Sequence, residues 1–458
     1  VQRRSWLRLA SVLVIGVLVG TACGSSSRGS DTSGNASGNT TTTAAGTAAS
    51  GKFGDLASPC GKGDAKGATD KGVTDSAITI GYGDDAGYSA SPGLNHEMSD
   101  AMKAMIKWCN AQGGINGRQI TGDYHDAKIT EVVNAMTAAC QSDFFLVGEG
   151  WALDSAQEAA RTGCGLPAIP AYSVSPAFAH GPKMLQAVPN PVDYTPVQYA
   201  AAVAKAYPDK IKKTSVMFAN YSATIDTKDK VLAVFPALGY KFLDCPQQYN
   251  IAGEADWKPF AQKLKACGAE VVYWTGSPYP NYENYLEAAN QLDYKPLYMV
   301  DANFYDQALA KWNTNHFADD TYIREAYLPL EEADSVPAIK QYVDLVKADG
   351  GDVSQLGEQA ASSFLLWATG AKACGSTLTR DCILKDLAKV TKWTGGGLHA
   401  ETNPSSNMPP TCGVTLKLDG TKFVRFDPKE KGKLDCSPDY VAKVTGPVVD
   451  NAKLGPDR

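Results

Sequence analysis

Ala77-Ile-Thr-Ile-Gly-Tyr-Gly83 and Trp108-Cys-Asn-Ala-Gln-Gly-Gly-Ile-Asn-Gly-Arg118 bracket one helix-length segment, and their order sets the architecture of the chain. The first string reads as a strand. Residues 93–111 then place Met98, Met102, Met105, Ile106 and Cys109 at three- and four-residue spacing, the period of a helix with one buried face. Gly113-Gly114 stop that helix, because glycine accepts the backbone turn after the last residues. Residues 119–125 give a weaker second strand. The unit is strand–helix–strand, the building block of a parallel sheet.

The alternation extends outward from this unit. A helix over 130–141 leads to Phe144-Phe-Leu-Val-Gly148, continuously apolar as expected of a strand covered on both faces. A helix over 153–162, a strand over 166–169 and an extended segment over 184–188 follow. A helix over 196–207 begins a second series, with strands at 214–219, 240–245, 270–274 and 297–300. Its helices fall near 225–236, 256–266 and 281–291. The pattern is two successive α/β units, each of domain size. Beyond Tyr322 we expect an extended crossing, then helices over 335–348, 356–373 and 380–390. Strands over 414–418 and 422–426 flank Asp419-Gly420, a hairpin signal.

The first residues are of another kind. Arg3, Arg4 and Arg8 precede the apolar run 9–20, which ends at Thr21-Ala22-Cys23. That is the pattern of an export signal, and the run is shorter than the ~20 apolar residues of a bilayer span. Thr21-Ala22-Cys23 resembles a bacterial lipobox, although Gly20 stands where that motif usually carries an apolar residue. The resemblance implies cleavage after residue 22 and a lipid on Cys23. Residues 24–58, rich in Ser, Gly, Thr and Ala, have too little apolar surface to offset chain entropy and read as a flexible tether. Besides Cys23, ten cysteines remain, an even number that suits five disulfides in an oxidising compartment. Paired as neighbours in order they are Cys60–Cys109, Cys140–Cys164, Cys245–Cys267, Cys374–Cys382 and Cys412–Cys436, a connectivity that spacing alone does not fix. No close Cys-x2-Cys pair suggests a metal site.

The span 77–427 resembles the periplasmic binding proteins of the leucine/isoleucine/valine type. The strings Gly113-Gly-Ile-Asn-Gly-Arg118, Tyr273-Trp-Thr-Gly-Ser-Pro-Tyr-Pro280 and Asn290-Gln-Leu-Asp-Tyr-Lys-Pro296 carry the likeness. It implies a two-lobed α/β fold of type I, each lobe a mostly parallel sheet flanked by helices, joined by a three-crossing hinge. The expected division is a signal at 1–22, an anchored linker at 23–58, and the N-terminal lobe at 59–191 and 324–400. The C-terminal lobe takes 192–323, with a hairpin and tail at 401–458. The resemblance also implies an extracytoplasmic receptor that works with the permease and ATPase of an ABC importer and captures a small organic solute by hinge closure. A monomer is expected.

Ligands of open α/β sheets lie beyond the carboxyl ends of the strands. Those ends supply the candidates. Asp85 and Tyr88 follow the first strand, and Trp151 the third. Tyr172, Ser173 and Ser175 follow the fourth. Tyr221, Tyr279 and Asp301 follow strands of the second unit. The aromatic rings offer faces for stacking, and the hydroxyls offer hydrogen bonds. Asp301 resembles the acidic position that amino-acid-binding relatives use for an ammonium group. Those relatives hold the α-carboxylate with a Ser/Thr-rich loop after the third strand and a threonine after the fourth. Here Trp151-Ala152-Leu153-Asp154 and Val174 stand instead, with only Ser155 close by, so an ordinary branched-chain amino acid is not the expected solute.

Other classes fit less well. The chain lacks a Gly-x-Ser-x-Gly elbow, a phosphate-binding loop and a His-Glu-x-x-His helix, and its five histidines are scattered. Neither enzyme chemistry nor a cofactor is expected. A net charge of -6 without a dense basic run argues against nucleic acid. A ligand-sensing receptor and an envelope interaction protein are the remaining alternatives, since fold alone does not separate them from transport.

Overall fold

The computed structural model describes residues 51–452. The signal at 1–22, Cys23 and residues 24–50 of the tether lie outside the described residues. Residues 51–58 correct the expected linker, because they are packed. Strands β1 (Lys52–Phe53) and β2 (Leu56–Ala57) pair antiparallel. Phe53 is fully buried and meets Trp108 edge-on, with ring centroids 5.7 Å apart. The Gly54 amide donates to Gln341 Oε1 at 3.0 Å. Phe53 and Leu56 bring apolar surface that the preceding Ser/Gly/Thr composition lacks.

The first lobe follows the expected alternation. β3 (Ala77–Asp84), α1 (His96–Ala111), β4 (Gln119–Asp126), α2 (Val132–Ser142), β5 (Phe145–Val147), α3 (Glu158–Cys164) and β6 (Ala168–Ile169) come in that order. The four strands form a parallel sheet, β4-β3-β5-β6. The glycine-rich string after α1 has a clear structural use. Gly114 and Gly117 adopt φ of 74° and 92°, and a Cβ on Gly114 would strike the Arg118 carbonyl. The turn delivers Arg118 into the interior, where its guanidinium donates to the carbonyls of Thr74, Gly375 and Gly67 at 2.9–3.0 Å.

The short α4 (Pro176–Ala179) and β7 (Tyr194–Pro196) lead into the second lobe. There α5 (Gln198–Ala206), β8 (Thr214–Ala219), α6 (Ser222–Val234), β9 (Gln247–Tyr249), α7 (Lys258–Cys267), β10 (Val271–Thr275), α8 (Glu283–Gln291), β11 (Leu297–Val300), α9 (Gln307–Trp312) and β12 (Thr321–Glu325) succeed one another. α10 (Pro337–Ala348), α11 (Gln355–Cys374) and α12 (Arg380–Leu387) return to the first lobe. α11 packs on α1 and buries Phe364, Leu365, Leu366 and Trp367. β13 (Cys412–Asp419) and β14 (Lys422–Asp427) are the expected hairpin. β15 (Asp435–Cys436) pairs with β13, and β16 (Val441–Lys443) pairs antiparallel with β7, after which the short α13 (Pro447–Asp450) follows. The second sheet runs β14-β13-β12-β11-β10-β8-β9.

Two expectations change. The strand expected over 240–245 is reduced to a bridge between Phe242 and Thr214, and the paired strand is β9. Pro246 lacks the amide that a continuing ladder needs, and Cys245 is drawn into its disulfide. The extended crossing expected beyond Tyr322 begins instead as β12, an interior strand parallel to β11 and antiparallel to β13. Five disulfides join Cys60 to Cys109, Cys140 to Cys164, Cys245 to Cys267, Cys374 to Cys382 and Cys412 to Cys436. No described helix is long and apolar enough to cross a membrane.

Candidate functional site

The carboxyl ends of both sheets border one cavity of about 210 Å³. The first lobe contributes Tyr88 and Asn95 from the loop after β3, Ala152 after β5, and Tyr172 and Val174 after β6. The second contributes Tyr221 after β8, Tyr273 and Ser277 at the end of β10, and Asp301 after β11. Arg324 and Glu325 end β12, and Gln355 and Gln359 on α11 complete the wall. The lobes touch at the rim, where Ser91 Oγ donates to the Tyr279 carbonyl at 3.1 Å.

Four of the nine expected ligand residues line this cavity: Tyr88, Tyr172, Tyr221 and Asp301. The Tyr172 hydroxyl accepts from Asn95 Nδ2 at 3.1 Å. The other five lie outside the lining, and each is corrected for a separate reason. Trp151 is 1% exposed and packs with Val132, Met136, Leu166 and Phe178 inside the first lobe. Ser173 Oγ donates to Gln186 Oε1 at 2.7 Å. Ser175 caps α4, its Oγ accepting from the Phe178 amide at 3.2 Å. Tyr279 sits in a smaller neighbouring recess with Glu97 and Asp306.

Asp85 is the fifth. It is fully buried and accepts from the amides of Ile129 at 2.6 Å and Ala152 at 2.8 Å. Burial pushes its carboxyl up to about 7, while those amides pull it down. Asp154 does the same work one loop away. Its oxygens accept from the Val174 amide at 2.7 Å and the Ser175 amide at 3.1 Å. Burial pushes it up to about 6. Three backbone donors beyond β5 and β6, the amides of Ala152, Val174 and Ser175, are therefore spent on the protein's own carboxylates.

The second lobe carries charges that the sequence reading missed. Asp301 Oδ2 accepts from the Tyr273 hydroxyl at 2.7 Å, and Oδ1 lies 3.2 Å from Arg324 Nε. The residue expected to meet an ammonium is thus already matched by a guanidinium. Lys230, on α6, donates to the Pro191 carbonyl at 3.1 Å, and burial followed by repulsion from Arg324 lowers it to about 8. Glu325 is 2% exposed, and burial raises its carboxyl well above the usual range. The available signal was the string Thr321-Tyr-Ile-Arg-Glu325, an apolar strand ending abruptly in two charges. Reading 321–325 as a crossing hid it.

Among the described residues, Asp123, His125 and Asp143 bring possible metal-ligating atoms within 4.8 Å of one another. None of them lines the cavity, and His125 Nε2 is hydrogen-bonded to Asp143 Oδ2 at 2.9 Å.

Facing strand ends around a shared cavity define a ligand-binding site. The family model described as periplasmic binding protein matches residues 77–422, and the chain belongs to that family. Its fold is that of the leucine/isoleucine/valine-binding group. A fatty acid ABC transporter substrate-binding protein from Thermomonospora curvata superposes with a TM-score of 0.69 at 16% identity, covering 83% of this chain and 97% of the other. The leucine-binding protein LivK of Thermotoga maritima gives 0.63 at 16%, covering 79% and 99%. The branched-chain amino acid transporter substrate-binding protein LivJ of Streptococcus pneumoniae, in complex with isoleucine, gives 0.60 at 16%, covering 76% and 97%. No curated protein matches the sequence.

Proposed function

We propose that this chain is the extracytoplasmic capture component of an ABC importer, binding a small organic solute that is not an ordinary branched-chain amino acid. The observation that carries the second half is the occupation of the first lobe's amides. An α-carboxylate would need the donors of Ala152, Val174 and Ser175, which Asp85 and Asp154 already hold. A second carboxylate there would meet like charge and would compete for those three donors. The structural neighbours range from a fatty acid ABC transporter substrate-binding protein to a protein in complex with isoleucine, so fold likeness leaves the solute open.

In this reading the solute lies among Tyr88, Tyr172, Tyr221 and the Arg324–Glu325 strand end. Contacts to both lobes favour the closed state, which the permease and ATPase partners recognise. Cys23 carries the lipid that holds the protein at the membrane. The lobes divide near 191 and 400, and after Glu325 rather than at 323, so that β12 stays whole in the second lobe. A thermal-shift screen of purified full-length protein against amino acids, amides, amines and aromatic acids tests the proposal. A shift of several degrees by one solute class, with compaction in small-angle scattering, is the expected result. A response confined to leucine, isoleucine and valine overturns it.

A further inference from the structure

The cavity wall carries hydrogen-bond acceptors without donors. Both carboxyl oxygens of Glu325 are buried with no hydrogen-bond partner, as are Oε1 of Gln355 and Oε1 of Gln359. All three residues line the cavity. The oxygens of Glu358, also on α11, are unpartnered as well. Buried acceptors are normally satisfied, and four on one wall are a stated demand for N–H groups. The neighbouring cations do not meet it: Arg324 Nε lies 3.2 Å from Asp301 Oδ1 without a hydrogen bond to any acceptor, and Lys230 donates to the Pro191 carbonyl.

Resting on the proposed capture role, we propose that the solute carries a cationic, N–H-bearing head, an ammonium, amidinium or guanidinium group, seated on Glu325 between Gln355 and Gln359. Such a head supplies several donors and one charge in the place where the wall offers several acceptors and one carboxyl. Tyr88, Tyr172 and Tyr221 face the same space and suit an apolar or flat remainder. The site is distinct from Asp301, whose charge Arg324 already balances.

Binding should also move a proton. Burial favours the neutral carboxyl of Glu325; Arg324 opposes it, and Glu331 and Asp301 push the same way as burial. Glu358 on α11 is raised by burial and by Glu325 and Glu331. The Glu331 carboxylate accepts from the Tyr305 hydroxyl. His399, in ring contact with Tyr327, is lowered to about 4 by burial and carries no charge at neutral pH. A cation seated on Glu325 favours the carboxylate and releases its proton, so affinity rises with pH, by at most tenfold per unit.

The test uses purified full-length protein and four probes that share a phenyl ring: benzamidine, benzylamine, benzamide and benzoate. Calorimetry at pH 6.5 and 8, each in two buffers of different ionisation enthalpy, reads affinity and proton release together. The two cations should bind more tightly at pH 8 and release protons on binding, while benzamide and benzoate bind at least tenfold more weakly. Glu325→Gln, which keeps the side-chain shape, should weaken the cations roughly tenfold or more and abolish the proton release. Benzoate or benzamide binding as well as the cations, or cation binding without proton release in the wild type, overturns the inference. The wider solute screen separates the two proposals. A preferred solute that is neutral or anionic refutes the cationic head alone, whereas no solute of any charge refutes the capture role itself.

Discussion

Asp154→Ala probes the most unusual feature of the first lobe, a carboxylate spent on amides that border the ligand cavity. The wild-type side chain is fully buried and bonded to the amides of Val174 and Ser175. Truncation strands two donors, each costing about 1–3 kcal/mol. It also removes a buried charge. Burial pushes the carboxyl up to about 6 in the folded protein, against an ordinary value of 3.8. Because the folded value is the higher one, the folded state binds this proton more tightly, and stability falls as pH rises from about 4 through about 6. Between pH 5 and pH 8 the linkage amounts to about 1.4 kcal/mol. Urea unfolding of wild type and variant at both pH values isolates it, since the other titrations cancel in the difference. The variant should be destabilised at pH 5 by about 1.4 kcal/mol more than at pH 8. An equal destabilisation at the two pH values would refute the reasoning.

Two further outcomes follow from particular contacts. Phe53→Ala should cost about 3–4 kcal/mol in urea unfolding, because the ring is fully enclosed against Trp108; a loss below about 1 kcal/mol would return residues 51–58 to the tether. Asp301→Ala should destabilise by about 1–2 kcal/mol, a value reduced for the partial exposure of both partners, because Arg324 loses its counter-charge and the Tyr273 hydroxyl its acceptor. The same variant should leave the binding of a cationic solute within about threefold of wild type, whereas a hundredfold loss would restore Asp301 as the ammonium ligand.

Much of the architecture was written in local patterns. The methionines of α1, the glycines after it and the apolar β5 each obey a rule that involves only near neighbours, and each forms as expected. Where a long-range constraint intervened, the reading slipped. Cys245 and Pro246 end what composition alone would continue as a strand. β12 looks like a crossing until β11 and β13 are placed on either side of it.

The amino-acid order by itself determined the alternation of strands and helices, and it directed attention to the ends of those strands. It determined the likeness to a binding-protein family as well, because glycine turns and apolar periodicities are local properties of the chain. Tertiary structure alone decided which strand-end side chains face the cavity. Asp85 and Asp154 are absorbed by the amides of neighbouring loops, Trp151 by the core of the first lobe and Ser175 by the cap of α4, while Glu325, Gln355 and Gln359 come together from segments some thirty residues apart. The physical reason is that a donor or acceptor is available to a solute only if the folded protein has not already satisfied it, and that balance is struck between segments distant in sequence.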